Sequence, residues 1–101
     1  MSEKPRPIRT HELDPDAELI YTVDWTDWLA EISDSATLAS SSWIVDDGIT
    51  VVAEGLSADS KKASIRLAAP TDGEKYYITS RVSGPDGQRD DRTFLIVGKE
   101  Q

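Results

Sequence analysis

Cysteine is absent from the 101 residues of this sequence. A disulfide framework, a thiolate metal site and a cysteine nucleophile are therefore excluded. Histidine is nearly absent as well, because His11 stands alone near the N-terminus without a neighbour that would orient it as a general base. We expect His11 to be a surface residue. The sequence predicts a structural or binding protein, with no catalytic residue, metal site or cofactor.

Other chemical signatures are missing too. The glycines form no phosphate-binding loop of the G-x-x-x-x-G-K-[ST] type. Acidic pairs such as Asp46/Asp47 and Asp90/Asp91 lack the alternating spacing of a dedicated calcium loop. We interpret these pairs as turn residues and surface charge.

Long hydrophobic segments are also missing. No apolar run approaches the roughly 18 residues that a bilayer-spanning helix needs, and the N-terminus lacks the hydrophobic stretch of a signal peptide. We expect a soluble chain that is made in the cytoplasm and has no membrane partner.

Positive charge is scarce. Eleven lysines and arginines stand against 19 acidic residues, and the formal net charge is −8. Nucleic-acid binding depends on a basic surface that releases counterions from the phosphates, so nucleic acid is not expected as a partner. The apolar fraction of 38% is enough for one modest core in a chain of this length. We therefore expect one folded domain.

The N-terminal segment is basic, in contrast to the acidic remainder of the chain. It also contains two prolines, which favour an extended conformation. We predict that residues 1–12 form an extended arm ahead of a domain over residues 13–101. Two alternatives remain for this arm. It contacts the acidic body of a neighbouring copy, with Arg6, Ile8 and Arg9 as the candidate contacts, or it is a solvated terminus.

The most regular pattern of the chain lies at residues 18–25. Alternate residues of this segment are apolar and share one face of an extended strand. They are Leu19, Tyr21, Val23 and Trp25. We interpret the segment as the central strand of the domain. Asp24 lies at its end, where an aspartate accepts hydrogen bonds from the backbone N–H groups of a turn.

Further strands are predicted at short intervals, at residues 8–13, 37–45, 49–54, 63–68, 75–83 and 91–97. The Asp46-Asp47-Gly48 turn between two β-branched runs predicts a hairpin. Residues 26–32 predict only a bend or one short turn, because so short a helix has little stability of its own. About seven antiparallel strands indicate an all-β fold, an immunoglobulin-like or fibronectin type III-like β-sandwich.

The three tryptophans have different predicted positions. Trp43 lies in a predicted strand, and a sandwich commonly encloses one large indole between its sheets, so we place Trp43 in the core. Trp25 and Trp28 lie at a strand end, where an indole fills the core or contacts a partner or a sugar ring. Both alternatives remain open for these two residues.

A charged cluster is predicted on the last strand. If the turn at residues 84–87 pairs the last two strands, Arg81 comes close to Asp91 and Arg92, with Asp24 within reach. Exposed ion pairs contribute little to stability. We therefore assign these residues a structural role, in fixing the register of the strands or an interface.

Four short motifs follow one another along residues 13–97. They are Asp14-Pro15, Leu19-x-Tyr21-x-Val23-Asp24-Trp25-x-Asp27-Trp28-Leu29, Leu38-Ala39-Ser40-x-x-Trp43, and Arg81 with Asp90-Asp91-Arg92. In this order they resemble a family of short proteins encoded among the structural genes of tailed bacteriophages. The family is described as fibre-tail adaptor or neck-associated proteins with an immunoglobulin-like fold.

The resemblance implies a virion component without enzymatic activity, present in several copies and bound to other phage structural proteins of the neck, tail, fibre or capsid. Decoration of the capsid surface is an alternative location that the sequence does not separate from an adaptor role. A different class of function also remains open. It is a monomeric, fibronectin-like accessory module that binds carbohydrate through Trp25 or Trp28.

Overall fold

The computed structural model describes residues 9–100. Its elements in chain order are β1 (Thr10–Leu13), β2 (Glu18–Asp24), α1 (Thr26–Ile32), β3 (Ser40–Val45), β4 (Thr50–Leu56), β5 (Lys62–Ala68), β6 (Lys75–Ser83), a 3-10 turn (Pro85–Gly87) and β7 (Arg89–Gly98). The strands form a four-stranded sheet in the order β1-β7-β6-β3 and a three-stranded sheet in the order β2-β5-β4. The prediction of an all-β sandwich of about seven strands is confirmed.

The core lies between the two sheets and follows from the period of two in the strand sequences. In β5 every second residue is fully buried, and in β6 the alternate residues are buried in the same way. These inward residues are Ala63, Ile65 and Leu67 of β5, and Tyr76, Ile78, Ser80 and Val82 of β6. Burying each large apolar side chain contributes roughly 1.5 to 3 kcal/mol, so the facing strands β5 and β6 hold the two layers together.

The expected antiparallel pairing fails at one edge of the four-stranded sheet. β1 pairs with β7 in parallel, with Thr10 opposite Leu95 and Leu13 opposite Gly98. Residues 10–12, which the sequence assigned to the N-terminal arm, therefore lie within a sheet. Residues 1–8 lie outside the described residues, and the boundary of the arm stays a prediction.

The expected central strand lies at an edge. Among the described strands, β2 pairs only with β5, which occupies the middle of its sheet. Val23 is buried as the alternation predicts, but Leu19 and Ile20 are 48% and 56% exposed. The prediction of a central strand rested on the tryptophans near the end of the segment. That end of β2 is buried in the core, whereas the beginning of the strand is exposed.

The turn at Asp46-Asp47-Gly48 is present, but the hairpin predicted from it is wrong. β3 pairs with β6 and β4 pairs with β5, so the turn carries the chain from one sheet to the other. The Asp46 carboxylate accepts a hydrogen bond from the Tyr77 N–H at 2.9 Å, which ties the turn to β6. Gly48 has a φ of +102°, which favours glycine.

Residues 26–32, predicted as a bend or one short turn, form a short helix. α1 spans Thr26–Ile32, and its Leu29 is only 1% exposed. The side chains of Trp28 and Ile32 lie 3.3 Å from the position that a Cβ on Gly84 would occupy. A helix of this length is unstable alone, and tertiary packing of one face against the sandwich stabilises it.

Candidate functional site

A cleft of about 470 Å³ opens between the edges of the two sheets. One wall is formed by residues 20–24 of β2, and the other by Arg9 and His11 at β1 together with Arg92 and Phe94 of β7. The wall from β2 is a strand with one unpaired edge, because β2 has a hydrogen-bonded neighbour on one side only among the described strands. Extended polypeptides bind at edges of this kind.

Aromatic rings pack along the inside of the cleft. The ring centroids of His11 and Tyr21 are 5.0 Å apart, those of His11 and Phe94 are 5.7 Å apart, and Trp43 meets Phe94 edge to face at 6.1 Å. Spacings of this size suit tilted and edge-to-face aromatic contacts. The cluster gives the cleft a rigid apolar base beneath its charged rim.

His11 is half-buried in this cluster, in contrast to the expected surface position. Burial lowers the pKa of His11 below its ordinary value of 6.5, and the nearby charge of Arg9 lowers it further. Both effects disfavour the imidazolium. His11 therefore acts here mainly as a neutral aromatic ring, and the aromatic cluster accounts for its position.

Tyr21, which also lines the cleft, has an unusual hydroxyl group. Its hydroxyl oxygen is buried and has no hydrogen-bond partner among the described residues. Burial raises the pKa of the Tyr21 phenol above 10.0. A buried hydroxyl without a hydrogen-bond partner is unfavourable, so this atom lowers the stability that the aromatic cluster contributes.

The rim of the cleft carries positive charge on an otherwise acidic chain. Arg9 is exposed, and Arg92 is half-buried. Arg92 donates from Nη1 to the backbone carbonyl of Asp24 at 2.8 Å, and its guanidinium lies 4.2 Å from the centre of the Trp25 ring. The cation-π contact and the hydrogen bond hold Arg92 in place at the mouth of the cleft.

Asp24 lies where β2 passes into α1. Its Oδ1 accepts hydrogen bonds from the Thr26 backbone N–H at 2.9 Å and from the Thr26 hydroxyl. The hydroxyl bond, followed by the backbone bond, lowers the pKa of the Asp24 carboxyl below its ordinary value of 3.8. The carboxylate is thus held in the strand-end turn and keeps its negative charge, so the lining of the cleft carries two arginines and one carboxylate.

The indole of Trp25 is completely buried, with 0% exposure, and donates from Nε1 to the hydroxyl of Ser80 at 3.2 Å. Of the two alternatives considered for Trp25, this position favours the core, because Arg92 and Trp28 pack against the indole. Trp28 is half-buried and meets Trp25 edge to face at 5.4 Å.

Trp43, which was expected in the core, is only half-buried and packs against Phe94. The indole enclosed between the sheets is that of Trp25.

The remaining charged residues of the prediction lie elsewhere on β6 and β7. Arg81 and Asp91 are opposite each other in the register and form a two-pronged ion pair, with distances of 2.9 Å from Nε to Oδ1 and 3.1 Å from Nη2 to Oδ2. Their side chains are 51% and 44% exposed. Arg92 on the same strand bonds a carbonyl and not a carboxylate, so the predicted cluster divides into two separate contacts.

Two of the predicted partner residues, Arg6 and Ile8, lie outside the described residues. Arg9 is described, and its carbonyl accepts a hydrogen bond from the Leu95 N–H at 2.8 Å. The structure thus brings Arg9, Asp24 and Arg92 together at one cleft, and leaves Trp28 and the Arg81–Asp91 pair outside its lining.

Two features were missed in the sequence. Tyr76 is 3% exposed, and its hydroxyl accepts a hydrogen bond from the Thr71 N–H at 2.8 Å. The sequence feature that could have predicted this contact is a tyrosine near the start of a strand, shortly after the Pro70 to Gly73 turn. The second feature is β4, all of whose residues are exposed, including Val52 at 46% and Leu56 at 42%.

Residues 9–100 contain no group of three or more histidine, aspartate or glutamate side chains placed to hold a metal ion. Within the same residues, no helix has the length and apolar character needed to cross a bilayer.

Comparison with known proteins gives one family. Residues 13–97 match the family model described as "Podophage GP4 fiber-tail adaptor protein gp77". A search of the curated proteins finds no match to the chain. The matched residues run from Leu13, the last residue of β1, to Val97 in β7, so they include strands of both sheets and every residue of the cleft lining except Arg9 and His11. The predicted resemblance to phage fibre-tail adaptors is confirmed.

Proposed function

Because the chain belongs to the podophage GP4 fibre-tail adaptor protein gp77 family, we propose that it is a non-enzymatic structural protein of the virion that connects the neck or tail to the fibres. The family match over residues 13–97 is the observation that carries this proposal. The partners are other phage structural proteins, and several copies are present in each particle.

The sandwich is proposed to be immunoglobulin-like, and its strand order supports this. The order β2-β5-β4 corresponds to strands B, E and D of an immunoglobulin domain, and β3-β6-β7 to strands C, F and G. The hydrogen bond of Tyr76 to the Thr71 N–H has the form of a tyrosine corner at the start of strand F. Small sandwiches of this type commonly serve as rigid modules that present loops and edges to other proteins.

An adaptor needs at least two contact surfaces, and the two edges of the three-stranded sheet, which have no further strand beside them within residues 9–100, offer them. At one edge lies β2 with the cleft. At the other lies β4, where Val51, Val52 and Leu56 are 38%, 46% and 42% exposed. Exposed edge strands with apolar side chains tend to associate with other chains. The two edges lie on opposite sides of β5, so two partners bind without competing.

The N-terminal arm is proposed as a further contact. The basic Arg6 and Arg9, with the apolar Ile8 between them, are the candidate residues that dock on the acidic body of a neighbouring copy, since the whole chain has a net charge of −8. Deleting residues 1–8 tests this contact without removing β1. We expect normal thermal unfolding of the shortened chain and strongly reduced incorporation into particles. Normal incorporation would contradict a role for the arm in assembly.

Decoration of the capsid surface is the alternative within the same class. The two roles differ in what a particle loses when this chain is not made. Particles assembled without the adaptor retain a complete capsid and lack fibres when viewed by electron microscopy. Particles that keep their fibres and lose only a capsid surface protein would overturn the adaptor role and favour decoration.

The carbohydrate-binding alternative is less well supported by the positions of the indoles. Trp25 is buried, and Trp28 packs against Trp25 and beneath Gly84. A stacking platform requires an exposed ring face. Tryptophan fluorescence that shifts on addition of sugars, from a protein that stays monomeric, would favour this alternative.

A further inference from the structure

The unpaired edge of β2 has a defined set of outward-facing backbone groups. The Trp25 N–H bonds the Lys61 carbonyl at 2.9 Å, so the odd-numbered residues of β2 direct their N–H and C=O groups toward β5. The even-numbered residues, Ile20 and Thr22 among them, direct theirs away from β5. The hydrogen bond from Arg92 to the Asp24 carbonyl provides an independent check, because that carbonyl also points away from β5.

The groups around this edge favour one kind of partner. Arg9 and Arg92 supply two positive charges to the lining of the cleft, against the one negative charge of the Asp24 carboxylate, which Thr26 holds in the strand-end turn. Edge amides give affinity for any extended strand, whereas the arginines select for carboxylates.

We propose that the β2 edge and its cleft bind an extended, acidic segment of another virion protein, which adds to the three-stranded sheet as a fourth strand beside β2. The backbone of the segment pairs with the outward groups of Ile20 and Thr22, and its carboxylates contact Arg9 and Arg92. This proposal rests on the adaptor role proposed above, for which it names one contact surface and the chemistry of its partner.

Two other occupants fit less well. The chain's own first residues carry Lys4 and Arg6, which have the same charge as the arginines of the cleft. A second copy that pairs the full length of its β2 antiparallel to this one places Glu18 opposite Asp24 at both ends. Like charges directly opposite each other destabilise a strand pair.

The test uses the full chain and two probe peptides whose termini are capped, so that they carry no terminal charge. The first alternates glutamate with valine and threonine, and the second has every glutamate replaced by lysine. Binding is measured by titration calorimetry, and the contacted edge is located by amide hydrogen exchange. We expect the acidic peptide to bind at least about tenfold more tightly than the lysine peptide, with its affinity falling as salt is added. We also expect slower exchange of the Ile20 and Thr22 amides.

Two substitutions, each with a matched control, separate charge from backbone pairing. Arg9→Glu should weaken binding of the acidic peptide by about tenfold, whereas Arg89→Glu makes the same charge change at the far end of β7, outside the cleft, and should not. Thr22→Pro removes one outward N–H of β2 and should abolish binding. Glu54→Pro is its counterpart on the outer edge of β4 and should leave binding intact. Arg9 is exposed, so the charge test stands even if a proline variant fails to fold.

Several results would overturn the proposal. They are equal binding of the two peptides, no binding of the acidic peptide at millimolar concentration, and protection of β4 instead of β2. Protection of Ile20 and Thr22 in the free protein would likewise overturn it, because the chain's own residues 1–8 or a second copy would then occupy the edge. None of these results bears on whether the chain is incorporated into particles, so failure of this proposal is distinguishable from failure of the adaptor role.

Discussion

At the scale of single residues, the end of β2 is held by contacts to one buried indole and one exposed carboxylate. Trp25 is enclosed by Trp28 and Arg92 and donates its N–H to Ser80, which is itself 0% exposed. Asp24 bonds Thr26 immediately afterwards. These contacts fix the direction in which the chain leaves the sheet, and with it the position of one wall of the cleft.

Ser80→Ala tests the contact to the indole. The change leaves the Trp25 N–H buried without a partner, so we expect a loss of about 1 to 3 kcal/mol in the free energy of unfolding. Urea denaturation followed by tryptophan fluorescence measures it. Ser42→Ala, at an exposed position of β3, serves as the control and should be close to neutral. Equal effects of the two substitutions would show that the Ser80 hydroxyl is not needed by the indole.

Asp24→Ala tests the strand-end turn and has a defined pH dependence. We expect a loss of about 1 kcal/mol at neutral pH, since one backbone N–H loses its acceptor. The pKa of the Asp24 carboxyl is lowered in the folded protein, so its contribution is complete above the ordinary value of 3.8 and is lost as the pH falls through the lowered value. The stability of wild type and variant should therefore converge in acid.

Asp34→Ala removes another exposed carboxylate, from the loop after α1, and is the control for Asp24→Ala. Its effect on unfolding should be small across the same pH range. A difference between wild type and Asp24→Ala that persists unchanged to strongly acid pH would contradict the hydrogen bonds assigned to this carboxylate.

At the scale of elements, the sequence predicted the strands well and their neighbours less well. The alternation in residues 63–68 and 75–83 predicted β5 and β6 because both strands bury one face completely. The Asp-Gly turn predicted a hairpin because local turn chemistry does not reveal whether a chain stays in one sheet or crosses to the other. α1 was missed because its stability comes from the packing of Leu29 and Trp28 and not from its own sequence.

The candidate site was predictable only in part for the same reason. Arg9 and Arg92 are 83 positions apart in the sequence and come together through the parallel pairing of β1 with β7. No local sequence pattern predicts the pairing of two strands so far apart in the chain. The burial of Trp25 and the exposure of β4 likewise depend on how the two sheets overlap.

Tyr76→Phe tests the link between β6 and the turn before it. Loss of the hydroxyl leaves the Thr71 N–H without its acceptor, so we expect about 1 kcal/mol less stability against urea. Tyr21→Phe is the matched control, because its hydroxyl has no partner among the described residues. That substitution should be neutral or slightly stabilising. A larger loss for Tyr21→Phe than for Tyr76→Phe would contradict both assignments.

At the scale of the whole molecule, one small sandwich has two separated sheet edges, at β2 and β4, and an uneven distribution of charge. The chain is acidic overall, with a net charge of −8, while the cleft beside β2 carries two arginines. β4 exposes apolar side chains at the opposite edge of the same sheet. Such a molecule is suited to joining other proteins, and this agrees with the family to which it belongs.

The most direct test of this account is quantitative mass spectrometry of phage particles purified away from the lysate on a density gradient. We predict that this chain remains with intact particles in several copies, together with the tail and fibre proteins, and that it leaves with the tail when particles are dissociated. Recovery of the chain only as free protein in the lysate, with none in the purified particles, would contradict its role as a structural component of the virion.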